Sequence, residues 1–371
     1  MDKIVFRGAQ VLYAGQLIEA DVAVANGRIA GIGRHLEGDV LSVEGYLVPG
    51  LIDEHIHGIH GCDTMSGAQD VTQMARCVVQ HGVTTFLPTT MNAPVEETHA
   101  AVQGVKDAML AAGPGADIAG VHMEGPFLSE KYKGAQDARA NQLPSMENFQ
   151  RLTDGTQEIV RLMTLAPELP GAEAFIRAAA AQGIRISAGH SDASYETVES
   201  ALDWGLSQIT HLFNGMPPLH QRRPDLTLIA LTDNRVSVEI IADGCHLHPR
   251  MVDLASRVKP ADKLIGVSNG VHASAEHGTV REAGAVVNSD GVIAGAATTL
   301  ETGWLHFTNY SGMPDTLTAA CFTSNPAHDL GLITRGEIKP GKKADITFLD
   351  VKTNKVRMTV IRGRIVYKAE E

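Results

Sequence analysis

Through the middle of the chain, short apolar runs alternate with longer, Ala-rich segments whose apolar positions recur at helical spacing. That beat predicts βα units around a parallel sheet, because a strand buried on both faces is apolar throughout, whereas a surface helix is apolar along one stripe. Eight runs fit strands: LVPGLIDEH, VTTFLPTT, IAGVHMEG, VRLMTLAPE, IRISAGH, QITHLFN, VSVEIIADG and KLIGVSNG. Eight such units suggest a closed barrel rather than an open sheet. The two ends carry a different pattern. DVAVANGRIAGIG alternates apolar and polar residues around Asn26-Gly27, a strong hairpin signal, and ADITFLD followed by VRMTVIRGRIVYK repeats the style with Arg362-Gly363 at the turn. Neither end alone can bury a two-faced sheet. The expectation is an α/β fold: a (β/α)8 TIM-like barrel over residues 49–336, inserted in a small β-sandwich domain built from residues 1–48 and 337–371.

Composition narrows the function classes. At 371 residues the chain is long enough for one barrel with an accessory domain. The formal net charge of -12, with no long basic stripe, argues against a nucleic-acid or membrane surface, so an anionic substrate would need a local basic pocket. Cys62, Cys77, Cys245 and Cys321 are widely separated and form no CxxC pair, which indicates neither a disulfide framework nor a thiolate zinc site. The opening MDKIVFRGAQ lacks an apolar signal core, and no uncharged apolar run reaches spanning length, so a cytoplasmic location is expected.

Polar residues of metal-binding type stand at the ends of the strand runs: His55 and His57, Glu124, Glu168, His190, His211, Asp243 and Asn269. Barrels of this kind place their active sites at the C-terminal ends of the strands, so these positions predict one shared site. His55 and His57 lie two residues apart on a strand and face the same side. Glu124 precedes Gly125-Pro126 at the end of the third run and can bridge two ions. Four imidazoles and a carboxylate are donors suited to zinc or iron.

The segments PGLIDEHIHG, HMEGPFLSEKYKGA, GHSDAS, THLFNGMPPLHQRRP and IADGCHLHP resemble the N-acetylglucosamine-6-phosphate deacetylases of the amidohydrolase superfamily. The resemblance covers nearly the whole chain, and HMEGPF and HLFNGM are specific to this branch. It implies metal-dependent hydrolysis of the acetamide of N-acetylglucosamine 6-phosphate, giving glucosamine 6-phosphate and acetate. Glu124, His190 and His211 match the metal ligands that the family shares, and His55 and His57 add a second site, so one or two zinc or iron ions per subunit are implied. The family's acid/base is an aspartate at the end of the eighth strand. Here VSNG puts Asn269 there, and a carboxamide is neutral at any ordinary pH, with no carboxylate to take up and return a proton. Three accounts of Asn269 stand side by side: an isosteric replacement made to trap substrate, favoured because its surroundings are retained; a natural non-catalytic sugar-phosphate binding protein; or a register shift in which His272 or Glu276 moves the proton.

The pocket also follows from the resemblance. Arg222 and His246 match the family's phosphate ligands, and Arg222 reaching a neighbouring subunit's pocket implies a homodimer. Asn214, Gly215, Ala135, Gln136 and Asp243 line the sugar, with the loop Ile293, Ala294, Gly295 and Ala296. Gln136 stands where the family has a histidine, Asp225 where it has a glycine, and VHASAEHGTV departs from the usual wording. These departures leave room for a related acetamido sugar, N-acetylgalactosamine with or without 6-phosphate. A more generic alternative is an amidohydrolase acting on a cyclic amide.

Overall fold

The structure, a computed structural model, describes residues 3–111, 113–272, 284–350, 353 and 355–370, and the backbone alone of 279–280. Glu276 lies outside the described residues. All eight expected runs form strands: β1 (Leu51–Ile56), β2 (Val83–Thr90), β3 (Val121–Glu124), β4 (Val160–Leu165), β5 (Arg185–Ala188), β6 (Leu206–Ile209), β7 (Ser237–Ile240) and β8 (Leu264–Gly266). Each pairs in parallel with the next. The ring closes beyond β8, where Asn269 N donates to His55 O at 2.9 Å and His57 N donates to Gly270 O at 2.8 Å. Closure therefore depends on the same residues that form the strand-end cluster.

A helix follows each strand: α1 (Ala68–Val78), α2 (Val95–Ala111), α3 (Met146–Thr153), α4 (Ala172–Ala181), α5 (Tyr195–Trp204), α6 (Leu226–Thr232), α7 (Pro249–Val258) and α8 (Leu300–Ser311), with two short helices, α9 (Asp315–Cys321) and α10 (Ser324–Asp329), after α8. Side-chain caps start several of them and fix where the preceding loop ends. Ser145 accepts from Asn148 N, Ser194 from Thr197 N and Asp225 from Thr227 N. Between helices and strands the core is apolar, with Phe175 meeting Phe127 and Phe149 edge-on at centroid distances of 5.0 and 5.7 Å.

Inside the ring the filling is unusually polar. His122, Thr164, Ser187, Gln208, Thr210 and Glu239 are all fully buried there. His122 Nδ1 donates to Glu54 O at 3.1 Å, its Nε2 meets Thr164 Oγ1 at 2.8 Å, and the hydroxyls of Thr164, Thr210 and Ser187 continue the chain at 2.7 and 2.6 Å. Every member has a partner, which is the condition for a buried polar network to be tolerated.

Both chain ends contribute to a β-sandwich. One four-stranded sheet is N-terminal throughout: Arg28–Gly33, Asp21–Ala25, Ile4–Arg7 and Asp39–Ser42, in that order. The second mixes the ends through Tyr46–Pro49, which pairs antiparallel with Ile346–Leu349. Phe6, Val22, Leu47, Ile346, Phe348 and Val360 fill the space between them. Both expected hairpins form: Asn26-Gly27 (φ 53 and 71°) and Arg362-Gly363 (φ 48 and 75°) each have the paired positive φ of a two-residue turn matched to strand twist. Tyr46–Pro49 runs into β1 with only Gly50 between, so the sandwich is anchored to the strand that carries His55. Among the described residues no helix is long and apolar enough to cross a membrane.

Candidate metal centre

His55 lies within β1 and Glu124 ends β3, whereas His57, His190, His211 and Asn269 follow the ends of β1, β5, β6 and β8 by one to three residues. The apolar runs thus read slightly longer than the strands they mark. His190, His211 and Asn269 have φ of 49, 31 and 47°. Positive φ is uncommon in non-glycine residues and collects where side-chain direction matters more than backbone comfort. The turns at His190 and His211 aim both rings at one point, while the Asn269 side chain faces His246 Nε2 at 3.5 Å.

Glu124 is that point. Its Oε1 lies 3.2 Å from His190 Nε2, 3.1 Å from His211 Nε2 and 3.4 Å from His55 Nε2, and its Oε2 lies 3.4 Å from His57 Nε2. The two histidine pairs are equally close: His190 and His211 Nε2 at 3.1 Å, His55 and His57 Nε2 at 3.3 Å. The far side of each ring fixes its tautomer. Nδ1 donates to Thr89 O from His57 (3.1 Å), to Tyr132 O from His190 (2.9 Å), to Asn214 O from His211 (3.0 Å) and to the Glu239 carboxylate from His55 (2.8 Å). Four Nε2 lone pairs therefore converge on a carboxylate with no proton between them, a donor set that fits divalent cations. Ligands bonded to one tetrahedral zinc at about 2.0–2.1 Å stand roughly 3.3 Å apart, close to the spacing found here. The carboxylate joins two triads, Glu124 with His190 and His211 and Glu124 with His55 and His57.

Electrostatics agree with that reading. Burial holds His55 well below the ordinary imidazole range, keeping it in the neutral, ligating form. Burial alone would raise the Glu124 carboxyl, but the His55 and His190 rings hold it far below its usual value, so it remains an anion. A third cluster, His55, His122 and Glu239, also brings three donors together. Its His122 nitrogens are both engaged in the internal network, and burial lowers that ring to about 3, so it acts as a neutral spacer beneath the site.

Glu239 supports the centre. Besides receiving His55 Nδ1 it accepts His211 N at 3.0 Å, and Gln208 Nε2 links it to Glu54 at 3.1 and 2.6 Å. Burial pushes both carboxyls up, Glu54 furthest. Glu239, Gln208, Glu54 and His122 are absent from the sequence reading. Their signal was a polar residue in the middle of an apolar strand run.

The remaining candidates surround this centre unevenly. Gln136 is buried against it: Nε2 donates to Glu124 Oε2 at 2.5 Å, and Oε1 accepts Asn92 N at 2.8 Å, so the carboxamide is engaged at the metal site itself, beside half-buried Ala135. Asp243 accepts Cys245 N and His246 N at 2.8 Å each and His246 Nδ1 at 2.6 Å, while His246 Nε2 faces Asn269 Nδ2 at 3.5 Å. The Ile293–Ala296 strand lies against this end of the barrel through Ala296 N donating to Asn269 O at 2.9 Å. Arg222 is exposed. Asp225 caps α6, and Glu168 accepts Ser191 Oγ at 2.7 Å and Asp192 N at 2.6 Å, so both acids have structural partners. His272 donates Nδ1 to Asp63 at 2.7 Å.

Gly215 offers a sharp test of the centre. Its carbonyl accepts Ser191 N at 3.1 Å, its φ is 60°, and a Cβ there would stand 3.0 Å from His190 Nδ1 and 3.4 Å from His211 Cε1. Gly215→Ala should displace both rings and lower metal affinity by roughly the 10–100-fold seen when ligand-orienting contacts are lost. Equilibrium dialysis with zinc measures it.

A (β/α)8 barrel with a strand-end Glu–His cluster of this kind defines a hydrolase that works with divalent metal. Residues 46–366 match the model of the amidohydrolase family. Among curated relatives, the N-acetylglucosamine-6-phosphate deacetylase of Vibrio furnissii is 33% identical over 381 residues, covering 98% of this chain and 95% of that protein. The N-acetylgalactosamine-6-phosphate deacetylase of Escherichia coli O157:H7 is 31% identical over 314 residues, 82% of this chain and 83% of that protein. A solved structure of an aspartate-to-alanine variant of N-acetyl-D-glucosamine-6-phosphate deacetylase from Mycobacterium smegmatis, in complex with N-acetyl-D-glucosamine-6-phosphate, superimposes with a TM-score of 0.91 at 27% identity, covering 99% of this chain and 100% of that one. The chain belongs to the amidohydrolase family, in its N-acetyl amino-sugar phosphate deacetylase branch.

Proposed function

We propose that the chain hydrolyses the acetamide of N-acetylglucosamine 6-phosphate, releasing acetate and glucosamine 6-phosphate, at a rate held down by Asn269. The observation that carries this reading is the convergence of four Nε2 atoms on Glu124 at the mouth of the barrel. The sugar phosphate is taken from the relatives. Glu124, His190 and His211 would hold one zinc or iron ion and His55 and His57, sharing Glu124, a second. Such ions supply Lewis-acid polarisation of the acetamide carbonyl and acidify water. The protein's own contribution is orientation: Tyr132 O, Asn214 O, Thr89 O and Glu239 fix the rings, and Gln136 holds the second oxygen of Glu124. Backbone groups of Asn214 and Gly215 would line the sugar, as would Ile293–Ala296. Exposed Arg222, whose guanidinium fork suits phosphate oxygens, would serve a second copy of the chain in a homodimer.

A second reading, the galactosamine epimer, draws support from the Escherichia coli relative and from Gln136, an uncharged side chain where a histidine is usual. Acetate release from the 6-phosphates of N-acetylglucosamine and N-acetylgalactosamine and from both unphosphorylated sugars separates the readings, using protein loaded with zinc or iron. The glucosamine 6-phosphate substrate is expected to give the highest kcat/KM. Faster release from the galactosamine epimer favours the second reading, and release independent of phosphate removes the role given to Arg222.

A further inference from the structure

The loop from β3 to α3, residues 125–145, crosses the metal centre and touches it at two ligands. Tyr132 O accepts His190 Nδ1 at 2.9 Å and Ser129 N donates to His190 O at 2.8 Å, so the first part of the loop holds that ring. Gln136 holds the carboxylate. Its side chain is buried, and its Oε1 accepts Asn92 N at 2.8 Å. A backbone N–H can only donate, so this contact fixes which end of the amide is oxygen and leaves Nε2–H facing Glu124 Oε2 at 2.5 Å. Asn92 also ties down the far part of the loop, donating Nδ2 to Asp137 O at 2.8 Å and to Asn141 Oδ1 at 2.6 Å. Both ends of the Gln136 carboxamide are thus committed to protein partners, one of them a metal ligand.

The terminal torsion of a glutamate is soft, so its carboxylate can turn both oxygens to one ion or give one oxygen to each of two. The arrangement here is of the second kind. Oε1 faces His190 and His211 at 3.2 and 3.1 Å, with His55 at 3.4 Å, while Oε2 faces His57 at 3.4 Å. Neutral imidazoles whose Nδ1–H is spent elsewhere offer Glu124 only lone pairs, which cannot hold the carboxylate in one plane. Among the described residues, the Gln136 N–H is the donor outside the histidine rings that does. We propose that Gln136 is a positioning residue that keeps Glu124 in its bridging orientation and thereby sets the affinity of the second ion, the one assigned to His55 and His57; the proposal rests on the two-ion reading above. A glutamine standing where a sugar contact is expected from the sequence therefore serves metal loading.

The test titrates zinc into the chelated full chain, competing with a chromophoric chelator, in the parent, Gln136→Met, Gln136→His and His57→Ala. Melting curves of the chelated proteins control for folding. The parent should take up two zinc ions in two steps, and His57→Ala identifies the step that belongs to the second ion. Gln136→Met keeps the side-chain length without the N–H, and it should weaken that step by about 10–100-fold, the usual cost of losing a contact that orients a ligand. The first step should change by less than about threefold, because Tyr132 O and Asn214 O still fix His190 and His211. Gln136→His, whose ring can again donate an N–H, should recover most of the lost affinity. Equal weakening of both steps, a parent that binds a single zinc, or no recovery in Gln136→His would each overturn the proposal. So would a raised KM for N-acetylglucosamine 6-phosphate in Gln136→Met with both zinc affinities unchanged, which would make Gln136 a sugar contact. The zinc affinities are read without substrate, so a chain that shows the expected pattern yet releases acetate from no acetamido sugar phosphate would refute the deacetylase reading and leave this one standing.

Discussion

Asn269→Asp should raise kcat for acetate release by about 10²-fold with little change in KM. General acid/base catalysis by a positioned side chain is worth about 10²–10⁴-fold, and the lower end of that range is the gain expected. The restored carboxylate would replace an amide whose Nδ2 faces His246 Nε2 and whose backbone bridges His55 and Ala296. The amide approaches His246 Nε2 at 3.5 Å, and the Nδ1 of that ring is committed to Asp243; a carboxylate in its place would receive a hydrogen bond there only from a ring protonated on both nitrogens. Steady-state acetate assays on matched, metal-loaded preparations check this. An Asn269→Asp variant no faster than the parent on all acetamido sugar phosphates would mean that proton transfer does not limit the parent.

The second large effect concerns metal. Removing it by chelation should abolish acetate release and lower the melting temperature by roughly 8 °C. The figure follows from about 4 kcal/mol of linkage when free metal exceeds Kd a thousandfold, and from about 2 °C of melting shift per kcal/mol for larger domains. Physically, the metal-free centre confronts Glu124 with four imidazole lone pairs at 3.1–3.4 Å. Burial would lower the His190 ring, yet the Glu124 carboxylate beside it raises it. Glu124→Gln should reproduce the chelated state, because one carboxamide cannot replace an anion shared by both histidine pairs. Differential scanning calorimetry with and without zinc, together with metal analysis of the variant, measures both. A variant that retains two ions and full melting temperature would show that the histidine pairs bind metal independently of Glu124.

The barrel was legible because each strand announces itself as an apolar run ending in a polar residue. The cluster was legible for the same reason: His55, Glu124, His190 and His211 stand where such runs stop. What the sequence did not yield is the layer beneath. Glu239 in VSVEII and Gln208 in SQITH interrupt apolar runs, and a polar residue inside a strand reads as noise until its partners, contributed by other strands, are known. Gln136 and Asp225 illustrate a related difficulty. Their chemistry is clear from residue type, but whether a carboxamide meets a sugar or Glu124, or an acid meets a phosphate or a helix N-terminus, depends on loop paths that local pattern does not encode.

The positive φ of Asn269 bears on how such a chain can change its activity over time. Among residues with a side chain, asparagine and aspartate are the two that enter this left-handed region most readily, so exchange between them leaves the turn after β8, and the barrel seam that it closes, undisturbed. Most other replacements would strain that seam. Position 269 is thus a place where one base change can switch proton chemistry on or down while fold, metal centre and pocket persist, and where a lineage can cross between slow and fast forms in either direction without passing through an unstable intermediate.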